Sequence, residues 1–413
     1  MWTFNYGEWT EAYVFLRLLG NGRIYGANAD FERDETVYMD IINIIRHERD
    51  HILKFERVME DSVVNAYDNT MLFRVMAYAE LIEKADYLYN AIREVTSNDR
   101  KFAVPEIEEY LKELKFSQPK VPKLPPNVAT TYGKKTDIII TIEDSIDHAV
   151  STTGFSVKSH LGSASSLFNS SLASRLKYEI VGCTDEEMDE INGNQIDSEI
   201  GMFQYIKNNP NLALEFIGTS EEFEANLDFV ELTMAEILNN TMLVQIGYLD
   251  RAESSSTKDL AARVAEINPI NVRRADEWYK AKFKNLLFAS FSGLTASEPW
   301  DGRNRLSGGY IDVNRDGEML YYRAVSDDVF NSFLYEHTFF DRPSRGVNKD
   351  RAKVIAKAHL EGRIPTDEEM DAVTYKIKDD GTRERKPAKG DWGYVIKEND
   401  RYYIMINFQI RFK

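Results

Sequence analysis

Residues 136–161 read TDIIITIEDSIDHAVSTTGFSVKSHL. The segment predicts two β-strands joined by a polar turn. Residues 136–142 are a β-branched run, and in 154–160 Phe155 and Val157 alternate with Ser156 and Lys158. Period-two alternation sends one set of side chains into a core and the other to the opposite face. Asp137 stands at the start of the first strand and Lys158 near the end of the second. If the strands are neighbours, an acid and an amine converge at one edge of a sheet. A carboxylate there can hold a divalent cation, and a lysine can activate a nucleophile or offset charge on it. That arrangement suits metal-dependent cleavage of phosphodiesters.

The chain has 413 residues, 43% hydrophobic and 12% aromatic, which is enough for packed cores in two or three domains and excludes wholesale disorder. Cys183 is the only cysteine, so an intramolecular disulfide and a cysteine-based zinc site are both excluded. The opening MWTFNYGEWTEAY lacks a basic head followed by an apolar run, and no apolar stretch approaches the ~20 residues of a membrane span. The expectation is a soluble, cytoplasmic protein without a membrane partner. The net charge of −17 weighs against nucleic acid as a partner, but it is uneven. Residues 341–413 carry 17 Lys and Arg against 13 Asp and Glu, making that part +4 and the remainder −21. A local basic cleft can hold DNA on an acidic protein.

Outward from the strand pair, residues 7–19 predict a helix with Trp9, Tyr13, Leu16 and Leu19 on one face, stopped at Gly20-Asn21-Gly22. Its Glu8 and Glu11 complement the positive end of the helix dipole. Residues 37–45 predict a strand. His47-Glu48-Arg49-Asp50-His51 fits the HExxH zinc pattern, yet its charged interior and its place after a strand favour a solvated turn. Residues 70–96 predict one long amphipathic helix capped at Asn69-Thr70, and 105–114 a short helix opened by Pro105. A Pro- and Lys-bearing connector, 116–135, then delivers the chain to Asp137. Residues 159–171 form a small-residue polar loop from which Ser159, Asn169 and Ser170 could contact DNA. Residues 176–181 predict another strand.

Helices are expected at 184–191, 197–208, 219–247, 257–267 and 274–292. Residues 308–325 predict a hairpin. Its Asp312, Asn314, Asp316 and Gly317 resemble the opening of a calcium loop, but Arg323 takes the place of the bidentate Glu, so a turn is the expected outcome. A helix at 326–336 precedes a charged insertion, 344–390. The chain closes on a second hairpin turning at Glu398-Asn399-Asp400, with Arg401, Gln409 and Arg411 among aromatics, as in a DNA-contacting sheet. The expected organisation is α+β: a core with a mixed sheet flanked by helices over 1–183, a helical subdomain over 184–299, and a β-rich region over 300–413.

GEWTE, VYMDIINIIR, GFSVKSHLGSASSLFNSS, FNSFLYEHTFFDRPSRG and INFQIRF occur in this order along the chain. They resemble the HpaII-type restriction endonucleases. The resemblance implies a PD-(D/E)xK nuclease core and Mg²⁺-dependent cleavage of double-stranded DNA at a short GC-rich site, CCGG in the family prototype. By matching motif it places Asp137 as the metal-binding acid and Lys158 as the catalytic lysine. Thr136 replaces the pattern's proline, and Ser156 stands at the catalytic position of its second acid. Glu11 is the first choice for the missing metal-binding carboxylate, with Glu8 and Glu143 behind it. The resemblance also makes a homodimer and a companion cytosine methyltransferase partners to look for. Two rival classes stay open: a zinc metallopeptidase on His47, Glu48 and His51, and a non-catalytic DNA-binding protein in which Asp137 and Lys158 form a salt bridge.

Overall fold

The computed structural model describes residues 1–28, 32–95, 101–162, 165–192, 199–303, 308–323, 327–341, 354, 357–358, 363–377, 383–385 and 394–413. Helix α1 (Tyr6–Asn21) opens with a capping box in which Asn5 and Glu8 satisfy each other's backbone N–H groups. Gly22, at φ 75°, ends it in the left-handed conformation that glycine adopts without steric cost. Trp9, Ala12, Tyr13, Phe15, Leu16 and Leu19 are all buried, so α1 is enclosed on most sides.

Strands β1 (Arg23–Ala27), β2 (Arg33–His47), β3 (Ile52–Val58), β4 (Val63–Asp68) and β5 (Met71–Ala77) follow, then α2 (Tyr78–Arg93), α3 (Pro105–Glu113) and α4 (Pro126–Tyr132). Strands β6 (Ile138–Asp144) and β7 (Val150–Ser159) are the pair expected from 136–161, and they are antiparallel neighbours from Ile138↔Phe155 to Glu143↔Val150. Strands β11 (Gly309–Val313) and β12 (Met319–Arg323) form the hairpin expected at 308–325, turning through Asn314 and Gly317.

The sheet does not stay open. Its order is β1-β12-β11-β7-β6-β2-β3-β4-β5, and β1 also pairs with β2, so six strands close into a barrel. The 15-residue length of β2 makes this possible. Its first half pairs with β1, and its second half, from Asn43 to His47, pairs with β3 and starts the β3-β4-β5 meander. Period-two alternation on β11 and β12 then serves two cores. Ile311, Val313, Met319 and Tyr321 join α1, α2 and Phe155, whereas Tyr310 and Tyr322 point into a second core.

That second core gathers β8 (Ser166–Phe168), β9 (Arg175–Val181), α5 (Asp185–Asn192), α6 (Glu199–Asn208), β10 (Ala213–Gly218), α7 (Glu221–Asp228), α8 (Met234–Ile246), α9 (Thr257–Ile267) and α10 (Ala275–Ser292). To it belong α11 (Asp327–His337), β13 (Thr338–Phe340), β16 (Val395–Glu398), β17 (Arg401–Asn407) and β18 (Ile410–Phe412). The insertion expected at 344–390 lies largely outside the described residues, which there include α12 (Asp367–Thr374), β14 (Tyr375–Ile377) and β15 (Arg383–Arg385). Among the described residues no helix is long and apolar enough to cross a membrane.

Three expectations need correction. Residues 70–96 are not one helix: Asn69, at φ 54°, turns the chain back so that Met71–Ala77 pairs with β4 before α2 begins. The Asn69-Thr70 signal is a hairpin turn, and ladder pairing overrides the helical periodicity beyond it. Residues 219–247 are two helices, α7 and α8, and the helical stretch also contributes β10, which pairs with β9. The closing INFQIRF splits, with β17 in a sheet ordered β10-β9-β17-β16 and β18 in another ordered β13-β18-β8.

The approach to Asp137 depends on Gly154. A Cβ there would lie 2.5 Å from Thr136 Oγ1 and 2.8 Å from the Tyr132 carbonyl oxygen. Gly154→Ala should therefore lower stability by about 1–3 kcal/mol, the usual scale of overpacking. A urea melt checks this; an unchanged midpoint would mean that the segment before Asp137 is not held against β7.

Candidate active site

Asp137 immediately precedes β6. Its N–H donates to the Phe155 carbonyl at 2.8 Å, and its Oδ2 accepts from the Val157 N–H at 2.8 Å and from the Ser156 hydroxyl at 3.0 Å. Ser156 thus positions the carboxylate across the strand pair. Burial raises the Asp137 pKa, while the charge of Lys158, these two hydrogen bonds and the charge of Lys135 act against the rise. Among the described residues no direct ion pair joins Lys158 to Asp137, so the salt-bridge alternative has no contact behind it.

Glu11 comes from α1, and its Oε2 accepts from the Val121 N–H at 2.9 Å. Burial, and then the negative charge of Asp137, push its carboxyl well above the usual carboxylate range. The other two acids are committed elsewhere. Glu8 completes the α1 capping box and pairs with Lys120. Glu143 lies six residues along the strand from Asp137, roughly 20 Å at strand rise, and sits 3.6 Å from His148.

The backbone that meets Glu11 is held by Arg46. This buried guanidinium donates to Glu48 at 2.6 Å and to the carbonyls of Gln118 and Lys120 at 2.8 and 2.6 Å, and it stacks 3.8 Å over Phe116. Glu48 also accepts from the Ser117 hydroxyl. The HExxH segment is therefore no zinc helix. His47 ends β2, His51 precedes β3 beside Asp50, and Glu48 faces Arg46. The expected turn is present, but Glu48 is buried within it rather than solvated. Among the described residues, no group of three or more His, Cys, Asp or Glu is arranged for a metal ion. A cation here would rest on two carboxylates. Glu11 and Asp137 fit that role: both are hard oxygen donors, both are desolvated, and the charge of Asp137 opposes ionisation of Glu11.

On the face of β7 that carries Ser156 and Lys158, further groups gather that the sequence reading did not select. Lys135 donates to the Ser290 carbonyl, and burial together with the charge of Lys158 lowers its pKa to about 7. Asp312 lies beside Lys158 in the parallel β7–β11 register. It is 1% exposed, its Oδ1 accepts from His160 Nε2 at 3.1 Å, and its Oδ2 has no hydrogen-bond partner among the described residues. An acid within the otherwise apolar GYIDV strand was the available signal. For Lys135 it was the Lys-Lys pair just ahead of Asp137.

The residues expected to meet DNA do not form one group. Ser159 is buried, with its hydroxyl 2.9 Å from that of Thr10. Asn169 and Ser170 are exposed after β8. Gln409 donates to the Ser166 hydroxyl at 3.0 Å, and Arg411 on β18 pairs with Asp341 at 2.7 Å. Arg401 lies on a different sheet, 3.2 Å from Glu179.

The raised carboxyl pKa values have a sign that can be tested. Between the ordinary carboxylate range and the raised values, the folded state binds more protons than the unfolded one. Stability then falls as pH rises through that window and levels off above it. In EDTA, the wild-type Tm should fall more steeply from about pH 5 upward than that of Glu11→Gln, which has no charge to gain. Parallel profiles would contradict the crowding of Glu11 and Asp137.

A family profile described as HpaII restriction endonuclease matches residues 5–352. The type II restriction enzyme HpaII of Haemophilus parainfluenzae is 26% identical over 414 aligned residues, which cover 99% of this chain and 98% of that protein. No solved structure gives a significant match. The profile spans most of the chain, including α1, the β6–β7 pair and Asp312, and so the chain belongs to the HpaII restriction endonuclease family of site-specific deoxyribonucleases.

Proposed function

We propose that the chain hydrolyses double-stranded DNA at a short GC-rich, CCGG-like site with Mg²⁺, using a PD-(D/E)xK-type site in which α1 supplies the second acid. The observation that carries this reading is the Asp137 carboxylate held by the Ser156 hydroxyl and the Val157 N–H on the strand that carries Lys158, with Glu11 of α1 near enough for the charge of Asp137 to raise its pKa. Glu11 and Asp137 would hold the ion. When bound, Mg²⁺ supplies Lewis-acid stabilisation of charge on the phosphate oxygens.

The protein's own groups do the rest. The Ser156 hydroxyl and the Val157 N–H fix the Asp137 carboxylate, so it needs no reorganisation when substrate arrives. The Lys158 ammonium orients the attacking water and offsets negative charge as the phosphorus gains its fifth oxygen and the P–O bond to the leaving strand breaks. Lys135 adds a second amine on the same side. Asn169, Ser170, Gln409 and Arg411 gather near β8 and β18, where they would read or position the duplex; arginine is suited to guanine O6 and N7. Arg401, on the neighbouring sheet, would act on the backbone. A homodimer and a companion cytosine methyltransferase complete the proposed system.

Lys158→Ala should slow single-turnover cleavage of a cognate duplex on the order of 10²–10³-fold, roughly 3–4 kcal/mol of transition-state stabilisation. Its Tm should stay within a few degrees of wild type and its DNA affinity should persist, because the half-buried side chain leaves no cavity in the core. EDTA should abolish cleavage by the wild type. Full-rate cutting by Lys158→Ala would refute this assignment of the strand pair.

A further inference from the structure

Two residues beyond Lys158 along β7, His160 opens onto a cavity of about 540 Å³, also lined by Arg315, His337 and Lys413, with Asp316 as its acid among the described residues. Its construction is specific. The His160 N–H donates to the Val313 carbonyl at 2.9 Å, which continues the β7–β11 ladder. The imidazole Nε2 lies 3.1 Å from Oδ1 of the buried Asp312. That carboxylate favours the protonated imidazole and holds its pKa above the usual histidine value. Arg315 is exposed at the tip of the β11–β12 hairpin and makes no ion pair among the described residues. Phe333 stacks on His337, and the His337 carbonyl accepts from the Lys413 N–H at 2.8 Å, which brings those two side chains to the same wall.

Position gives this cationic cavity its meaning. Residues two apart on a strand share a face and are about 6.6 Å apart, so His160 follows Lys158 on one side of the sheet. That distance is on the order of the spacing between neighbouring phosphates along one DNA strand, which lie about 3.4 Å apart along the helix axis and further apart through space. Arg401 and Arg411 already face carboxylates, Glu179 and Asp341, whereas Arg315 does not.

We propose that this cavity seats a non-scissile backbone phosphate of the strand being cut, held by Arg315 and the His160–Asp312 pair, with Lys413 adding positive charge beside His337. The inference rests on the nuclease reading of Asp137 and Lys158.

The test uses the full chain carrying Asp137→Asn, with and without Arg315→Ala, and cognate duplexes followed by fluorescence anisotropy from low to moderate salt. Arg315→Ala should weaken binding about tenfold and reduce the log–log salt slope by about 0.9, one phosphate contact. Arg315→Lys should keep the slope. A scan of single methylphosphonates, which remove one backbone charge at a time, should find a position on the cut strand where Arg315→Ala no longer matters. His160→Asn should lose its effect at that same position, which a merely structural defect would not do. Unchanged affinity and slope in Arg315→Ala, or a deficit that persists at every scanned position, would overturn the proposal. Failure of the underlying reading shows separately, as wild-type cleavage by Asp137→Asn alone.

Discussion

The site depends on how Asp137 is held. Its carboxylate accepts from the Val157 N–H and the Ser156 hydroxyl, both on the neighbouring strand, and its own N–H donates to the Phe155 carbonyl. Three hydrogen bonds therefore fix one acid across a strand pair whose register places Ile138 opposite Phe155. A slip of one residue would turn Ser156 and Lys158 to the other face and aim Phe155 away from its core. The same backbone pairing builds the core and orients the proposed site.

A second constraint comes from α1. Its C-terminal half packs under α2, where Gly20 allows a close approach to Ile82, while its N-terminal half carries Glu11 toward Asp137. Arg46 ties Gln118 and Lys120 to the end of β2, and this places the Val121 N–H against Glu11. The buried Arg46–Glu48 pair thus acts on the site through the connector. Removing one partner of such a pair leaves an uncompensated buried charge, commonly at a cost of about 3–5 kcal/mol. The residues that resemble a zinc motif have a structural use of this kind.

Much of this was legible where a local pattern met no long-range competitor. The alternation around Phe155 and Val157 marked β7, and Gly20-Asn21-Gly22 marked the end of α1. The hairpin turn at Asn399 and Asp400, both at positive φ, follows from the tolerance of Asn and Asp for that conformation. Other features arise from partners distant in sequence. The closure of the barrel needs β1 beside β12, nearly 300 residues later, and no periodicity records that parallel pairing. Met71–Ala77 looked helical because its apolar spacing continues smoothly into α2, whereas its partner β4 decides its state. Asp312 was read as part of a turn signal, although it lies on a fully buried strand beside Lys158. Lys135 stood in a connector whose path across Ser290 only the tertiary structure provides.

The central claim is that Glu11 and Asp137 act together on one ion. A double-mutant cycle of single-turnover cleavage tests it most directly, comparing Glu11→Gln, Asp137→Asn and the double variant at saturating Mg²⁺. Two ligands of one ion form a single unit, so the account predicts strong non-additivity, with the double variant little slower than the slower single variant. Independent effects that multiply in the double variant, or wild-type cleavage by Glu11→Gln, would contradict it.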